Sequence, residues 1–266
     1  MKAEDKSLRD WVDELEQSGR VSFTLEQARD ALPQKPDALK KALQRLHVKR
    51  RIHRVRKGFY VVVPLQYARM GCIPAEWFLG DLMAYLKTPY YLGCLSAAER
   101  HGAAHQRIQE SQVVVPKHIP IIHTPVLRIR FLQFGEMAVA RTQPLRVYSG
   151  DIPLSTPEWT ALDLIRFQKH YGSLDAAATV LVELSESLSP ARLGQAAKHE
   201  PCNAVAQRLG WMLDYLGRSD LTGSLHKEVE RRNAGYAILN SALPDTKGTR
   251  NTRWNIVEND QPESEL

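Results

Sequence analysis

The run LKKALQRLHVKRRIHRVRKGFYVVVP, residues 39–64, keeps the apolar spacing of a folded segment while carrying a charge that its surroundings cannot cancel. Within residues 35–57 there are ten basic side chains and one acid, Asp37. A face of that kind needs a polyanion to meet it. The basicity is also local, because residues 1–63 hold 15 Lys and Arg against 9 Asp and Glu, whereas the rest of the chain holds 21 of each.

Periodicity separates the two polyanions in question, nucleic acid and an anionic membrane surface. Leu39, Ala42, Leu43 and Leu46 recur at i, i+3, i+4 and i+7, so they form one face of a helix, while Lys40, Lys41, Gln44, Arg45 and Val48 point the other way. The apolar stripe is narrow and carries no Trp or Phe for insertion at a bilayer interface. Pro36 suits a first helical turn, and Asp37 suits the positive end of the helix dipole. A helix is therefore expected from residue 36 to about 49.

What flanks that helix completes a unit. Leu8, Trp11, Val12 and Leu15 have the same spacing and are followed by Gly19, a stop signal, which gives a first helix over residues 7–18. Thr24, with Gln27 in the capping-box position and Pro33 as terminator, gives a short second helix. Ile52 and Val55 lead into Arg56-Lys57-Gly58 and the β-branched run Phe59 to Val63, a strand, a turn and a second strand. Three helices and a basic hairpin predict a winged helix-turn-helix over residues 1–64. Its third helix would offer Gln44 and Arg45 to base edges in the major groove of duplex DNA. Lys40, Lys41, Lys49, Arg50 and Arg51, with the hairpin residues Arg54, Arg56 and Lys57, would meet phosphates or the minor groove.

Beyond Pro64 the pattern becomes mixed. Helices are expected over residues 75–87, 94–104, 157–169, 174–186, 190–198 and 203–216, and strands over 112–115, 127–132 and 145–148. The fold class is α+β, with a second domain over residues 65–257 and an acidic tail, 258–266, expected to be disordered. The first residues, MKAEDKSLRDW, have no signal-peptide pattern and no later apolar run approaches the length of a membrane span, so a cytoplasmic protein is expected. Cys72, Cys94 and Cys202 are odd in number and far apart, which suits buried, reduced thiols.

The catalytic candidates in the second domain are weak. His101 and His105 have metal-ligand spacing on a helix, but Gly102 stands where a zinc protease carries glutamate. Pro244-Asp245-Thr246-Lys247 has a nuclease-like carboxylate and lysine without a suitably spaced second carboxylate upstream, and reads as a surface loop. Glu158 and Asp163 lie about 140° apart around a helix and do not converge. Glu158 is expected at its own helix's N-terminus. Tyr91, Ser96, His101 and Arg208 are expected to pack. There is no Gly-rich phosphate loop and no Ser-His-Asp arrangement, so no catalytic residue, metal or cofactor is expected.

The segment RKGFYVVVPLQYARMGCIPAEWFLGDLMAYLKTPYYLGCLSAAERHGAAHQ, then STPEWTALDLI, then RLGWMLDYLG, resembles the AbiEi family, antitoxins of type IV toxin-antitoxin systems of abortive infection and phage defence. The similarity spans most of residues 56–217. It implies an N-terminal winged helix that binds inverted repeats in the protein's own promoter as a transcriptional repressor. It also implies a C-terminal antitoxin domain, and a nucleotidyltransferase-like toxin neutralised without a stable complex. One reading helix covers few base pairs, so a monomer in solution and two copies on the operator are expected. The alternative is a winged-helix enzyme whose nuclease-like C-terminal domain modifies nucleic acid.

Overall fold

The computed structural model describes residues 7–103, 110–170, 174–243 and 248–262. Their contacts divide into two compact units, the first comprising the chain up to Pro89 with residues 119–131 and 145–152, the second comprising 90–118, 132–144 and the chain from Pro153 on. The first unit thus continues past Pro64, where the change in composition suggests a boundary. Through its two later segments it also recruits residues that sequence adjacency does not reveal.

The first unit begins with α1 (Leu8–Gln17), β1 (Ser22–Thr24), α2 (Leu25–Ala31), α3 (Pro36–Val48), β2 (Ile52–Arg56) and β3 (Phe59–Val62). Ser7 caps α1 by accepting from the Asp10 N–H, and Thr24 and Gln27 form the expected capping box on α2. Each contact satisfies a backbone group that a helix end leaves unpaired. The apolar stripes of α1 and α3 meet: Leu8, Trp11, Val12, Leu15, Leu39, Leu43 and Leu46 are all buried in one cluster with Phe23, Ile52 and Tyr60. Each such side chain contributes about 1.5–3 kcal/mol of transfer free energy. Phe23 sits between Trp11, edge-on at 5.1 Å, and Tyr60, stacked at 5.3 Å.

The three strands form an antiparallel sheet in the order β1-β3-β2. β1 was not expected, because three residues are too few to show an alternation and Thr24 already serves as a helix cap. After β3 comes α4 (Ala75–Tyr85), whose Phe78, Leu79, Leu82 and Met83 are buried.

The second unit opens with β4 (Tyr91–Leu92), α5 (Cys94–Arg100) and β5 (Ser111–Val115), and β4 and β5 pair antiparallel. The chain then forms the hairpin of β6 (Ile122–Thr124) and β7 (Leu127–Gln133). Thr124 Oγ1 lies 3.2 Å from His53 Nε2 on β2, which accounts for residues 119–131 joining the first unit. A second hairpin, β8 (Thr142–Val147) and β9 (Gly150–Ser155), has its tip in the first unit, where Tyr148 stacks on Trp77 of α4 at 4.6 Å. β9 escaped the sequence reading because Pro153 lies within it and proline argues against a strand.

The rest of the second unit is mainly helical: α6 (Pro157–Arg166), α7 (Leu174–Leu184), α8 (Pro190–His199), α9 (Asn203–Tyr215) and α10 (Ser219–Arg232). A small sheet closes it, with β10 (Ala237–Ile238) parallel and β11 (Thr249–Asn251) antiparallel to β12 (Ile256–Glu258). The architecture is α+β, as expected. Within the acidic tail, Glu258 ends β12, and the side chains of Asn259 and Asp260 bond to Asn240. Residues 263–266 lie outside the described part, as do His105 and the segment 244–247. Among the described residues no helix is long and apolar enough to cross a membrane.

Candidate nucleic-acid interface

Helix α3 starts without a side-chain cap, since Lys35 occupies that position, but Pro36 and Asp37 provide the fixed first turn and the favourable charge expected of them. It ends after Val48, where the Arg50 N–H bonds the His47 carbonyl and the Arg51 N–H bonds the Leu46 carbonyl. Arg50 is left-handed there, at φ 54°, a position that glycine usually fills. Between those ends the buried leucines fix the rotation of the helix, so that its opposite face is exposed.

That face gathers Lys41, Gln44, Arg45, Val48 and Lys49 around a shallow concavity of about 490 Å³. Lys40 is exposed on its flank. The hairpin is short, with Arg54 exposed on β2, Lys57 exposed in the turn and Arg56 half-buried. Gly58 completes the turn at φ +81°, and a Cβ there would lie 2.7 Å from Tyr85 Oη. Tyr85 in turn donates to the Lys57 carbonyl at 3.1 Å, which ties the turn to α4.

Two of the ten basic or polar candidates are turned to internal contacts. Arg51 Nη2 meets Asp13 Oδ1 at 2.6 Å and Glu16 Oε2 at 2.7 Å, while its Nη1 donates to the Val63 carbonyl at 3.1 Å. Burial opposes the charge of Arg51, but the hydrogen bonds with Glu16 and Asp13 outweigh it and raise the pKa. Arg50 Nη1 donates to the carbonyls of Ala68 and Arg69 at 3.4 and 3.3 Å. Proximity in sequence groups both arginines with the basic face, and only the tertiary contacts show where their guanidinium groups go. Buried His53 lies beside His47, with ring centroids 5.5 Å apart; burial and that neighbour push its pKa down to about 4.

Several buried polar groups of the second unit contact one another. Asp163 Oδ1 accepts from the Tyr91 hydroxyl at 3.2 Å and pairs with Arg166, which also pairs with Glu200. Tyr91 Oη accepts from the Trp159 indole at 3.1 Å, and the Arg166 guanidinium lies 4.3 Å from the Phe134 ring centre. Burial pushes Asp163 up to about 7 and raises the Tyr91 hydroxyl and Cys94 thiol well above their usual values. These carboxylates and this guanidinium bond one another inside the core.

The other candidates are likewise occupied in packing. His101 Nε2 is 2.8 Å from the Ser155 carbonyl, Ser96 Oγ accepts from the Gln112 N–H, and Arg208 Nε donates to the Ile238 carbonyl at 2.8 Å. Glu158 lies in the first turn of α6, as expected, and its Oε1 also accepts from the Ser189 N–H at 3.1 Å and from Arg192 at 2.9 Å, so it serves the start of α8 as well. A buried carboxylate needs donors, and the first N–H groups of a neighbouring helix supply one. Cys72 and Cys94 are buried as expected, with burial pushing Cys72 up to about 12, whereas Cys202 is exposed. Among the described residues no three of His, Cys, Asp and Glu are placed to hold a metal ion.

Sequence comparison assigns residues 91–215 to a class of antitoxin domains. The family is AbiEi: residues 91–215 match the model of the AbiEi antitoxin C-terminal domain, and this part of the chain belongs to that family. The RV2827C protein from Mycobacterium tuberculosis, known from a crystal structure, has a similar fold with a TM-score of 0.66 at 16% identity, over 94% of this chain and 90% of that one. An antigenic nucleotidyltransferase-like protein from Paracoccidioides brasiliensis aligns at a TM-score of 0.39 and 13% identity, over 55% of this chain and 88% of that one. No curated protein sequence matches the chain.

Proposed function

We propose that the chain is a DNA-binding autorepressor joined to an AbiEi-type antitoxin domain. The observation that carries the DNA half is the exposed face of α3, where Lys41, Gln44, Arg45 and Lys49 stand together opposite a buried leucine stripe. The order α1-β1-α2-α3-β2-β3, with β2 and β3 joined by a two-residue turn, supports reading residues 7–64 as a winged helix-turn-helix with α3 as its reading helix. Lys40, Lys41 and Lys49 bind phosphates, Gln44 and Arg45 address bases, and the exposed hairpin residues Arg54 and Lys57 reach the flanking backbone. Two copies bind an inverted repeat upstream of the protein's own gene. The second unit counteracts a nucleotidyltransferase-like toxin without a lasting complex; the AbiEi match of residues 91–215 supports the antitoxin part of this role.

The test is binding of the full chain to the DNA upstream of its own coding sequence, by fluorescence anisotropy from 50 to 300 mM salt. Roughly five phosphate contacts give a log-log slope of about −4 to −5, and competition by unrelated duplex stays weak. A flat salt response, or equal affinity for any duplex, overturns the reading.

A further inference from the structure

Val48 is the one residue of the α3 concavity without a polar group, and it is 75% exposed. A solitary exposed valine is ordinary on a protein surface. Its position is less so. At about 100° per residue, Val48 lies within about 60° of Lys41, Gln44 and Arg45 around the helix axis, and about 140–180° from the buried Leu39, Leu43 and Leu46. It therefore points straight out from the centre of the charged face. A β-branched side chain in the last turn of a helix is also a poorer helix former than the polar residues around it, so helix propensity does not account for it.

The floor of the major groove offers one apolar group, the C5-methyl of thymine, beside donors and acceptors that Gln and Arg can read. Gln44 pairs best with the N6 and N7 of adenine, and Arg45 with the O6 and N7 of guanine. Val48 follows Gln44 by one helical turn, a rise of about 6 Å, which compares with a stacking step of about 3.4 Å along DNA. We propose that Val48 is a specificity-determining residue of this face, contacting a thymine methyl within one or two base pairs of the adenine that Gln44 addresses. The assignment rests on the DNA-binding reading above and adds to it the class of base pair that each half-site must contain. An A·T pair sits next to the position read by Gln44, and Val48 supplies shape and burial where its neighbours supply charge.

The experiment starts from a pool of random duplexes, from which the full-length chain selects a consensus. Each thymine of that consensus is then replaced in turn by deoxyuridine, which removes only the methyl group. Wild type should lose about fourfold in affinity at one thymine per half-site, the worth of one buried methyl. Val48→Ala should bind the thymine and uracil duplexes alike while keeping its circular dichroism and its salt dependence. If a consensus emerges but no thymine is distinguished from uracil, or if Val48→Ala distinguishes them as well as wild type does, the assignment is overturned while DNA binding stands. If no duplex is enriched at all, the DNA-binding reading falls, and the role of Val48 falls with it.

Discussion

Arg45 and Arg51 carry the same charge in the same short run, yet they are put to different uses. Arg45 projects from the outer face of α3, whereas Arg51 is held by Asp13, Glu16 and the Val63 carbonyl. Arg51→Ala should lower unfolding stability by about 1–2 kcal/mol, a figure kept small because both acids are about a third exposed. Arg45→Ala should leave the melting temperature alone and cost about 1–3 kcal/mol of binding at one base position. Differential scanning fluorimetry and anisotropy on the two variants separate these outcomes. The sequence shows that both residues are basic and lie in or beside the helix over residues 36–48. It does not show which of them faces α1, because the acids that claim Arg51 lie 35 and 38 residues away. The same limit explains Glu158, whose partners Ser189 and Arg192 stand on another helix.

Among secondary-structure elements, those with a long apolar period were legible and those that depend on partners were not. α1, α3, α6 and α9 lie within a few residues of their expected bounds because each carries several apolar residues at helical spacing, and α1, α3 and α6 start at a recognisable cap or proline. α10 was missed. Its buried side includes only Leu221, Leu225 and Val229 among charged and small residues, so its stripe is thin in sequence though fully used in the core. β10, β11 and β12 are two or three residues long, too short to show alternation, and exist through their pairing. Helix α9 passes close to the indole of Trp254: a Cβ on Gly210 would come within 2.1 Å of that ring. Gly210→Ala should therefore destabilise the second unit by about 1–3 kcal/mol or more through overpacking. Gly223, on α10 with open space around it, provides the control, since Gly223→Ala should stabilise by up to about 1 kcal/mol through helix propensity. Urea unfolding of both variants reads the difference in sign.

The whole chain combines a locally basic N-terminal segment with residues 91–215 that match an antitoxin family, and net charge located the first of these. Its α+β class and the basic helix α3 were visible from periodicity and charge. The membership of residues 119–131 and 145–152 in the first unit was not, because it rests on contacts such as Thr124 with His53 and Tyr148 with Trp77. On the proposed function, exposed side chains of α3 and the hairpin bind DNA and the second unit rescues from the toxin. The two activities should then be separable in one cell. The measurement that tests this most directly supplies the triple variant Lys41→Ala, Arg45→Ala and Arg54→Ala from a foreign promoter, at protein levels matched to wild type. The same cells carry the partner toxin and a reporter driven by the chain's own promoter. The account predicts that the variant loses repression of the reporter and still restores growth against the toxin. Loss of rescue together with loss of repression, at equal protein level, would contradict it.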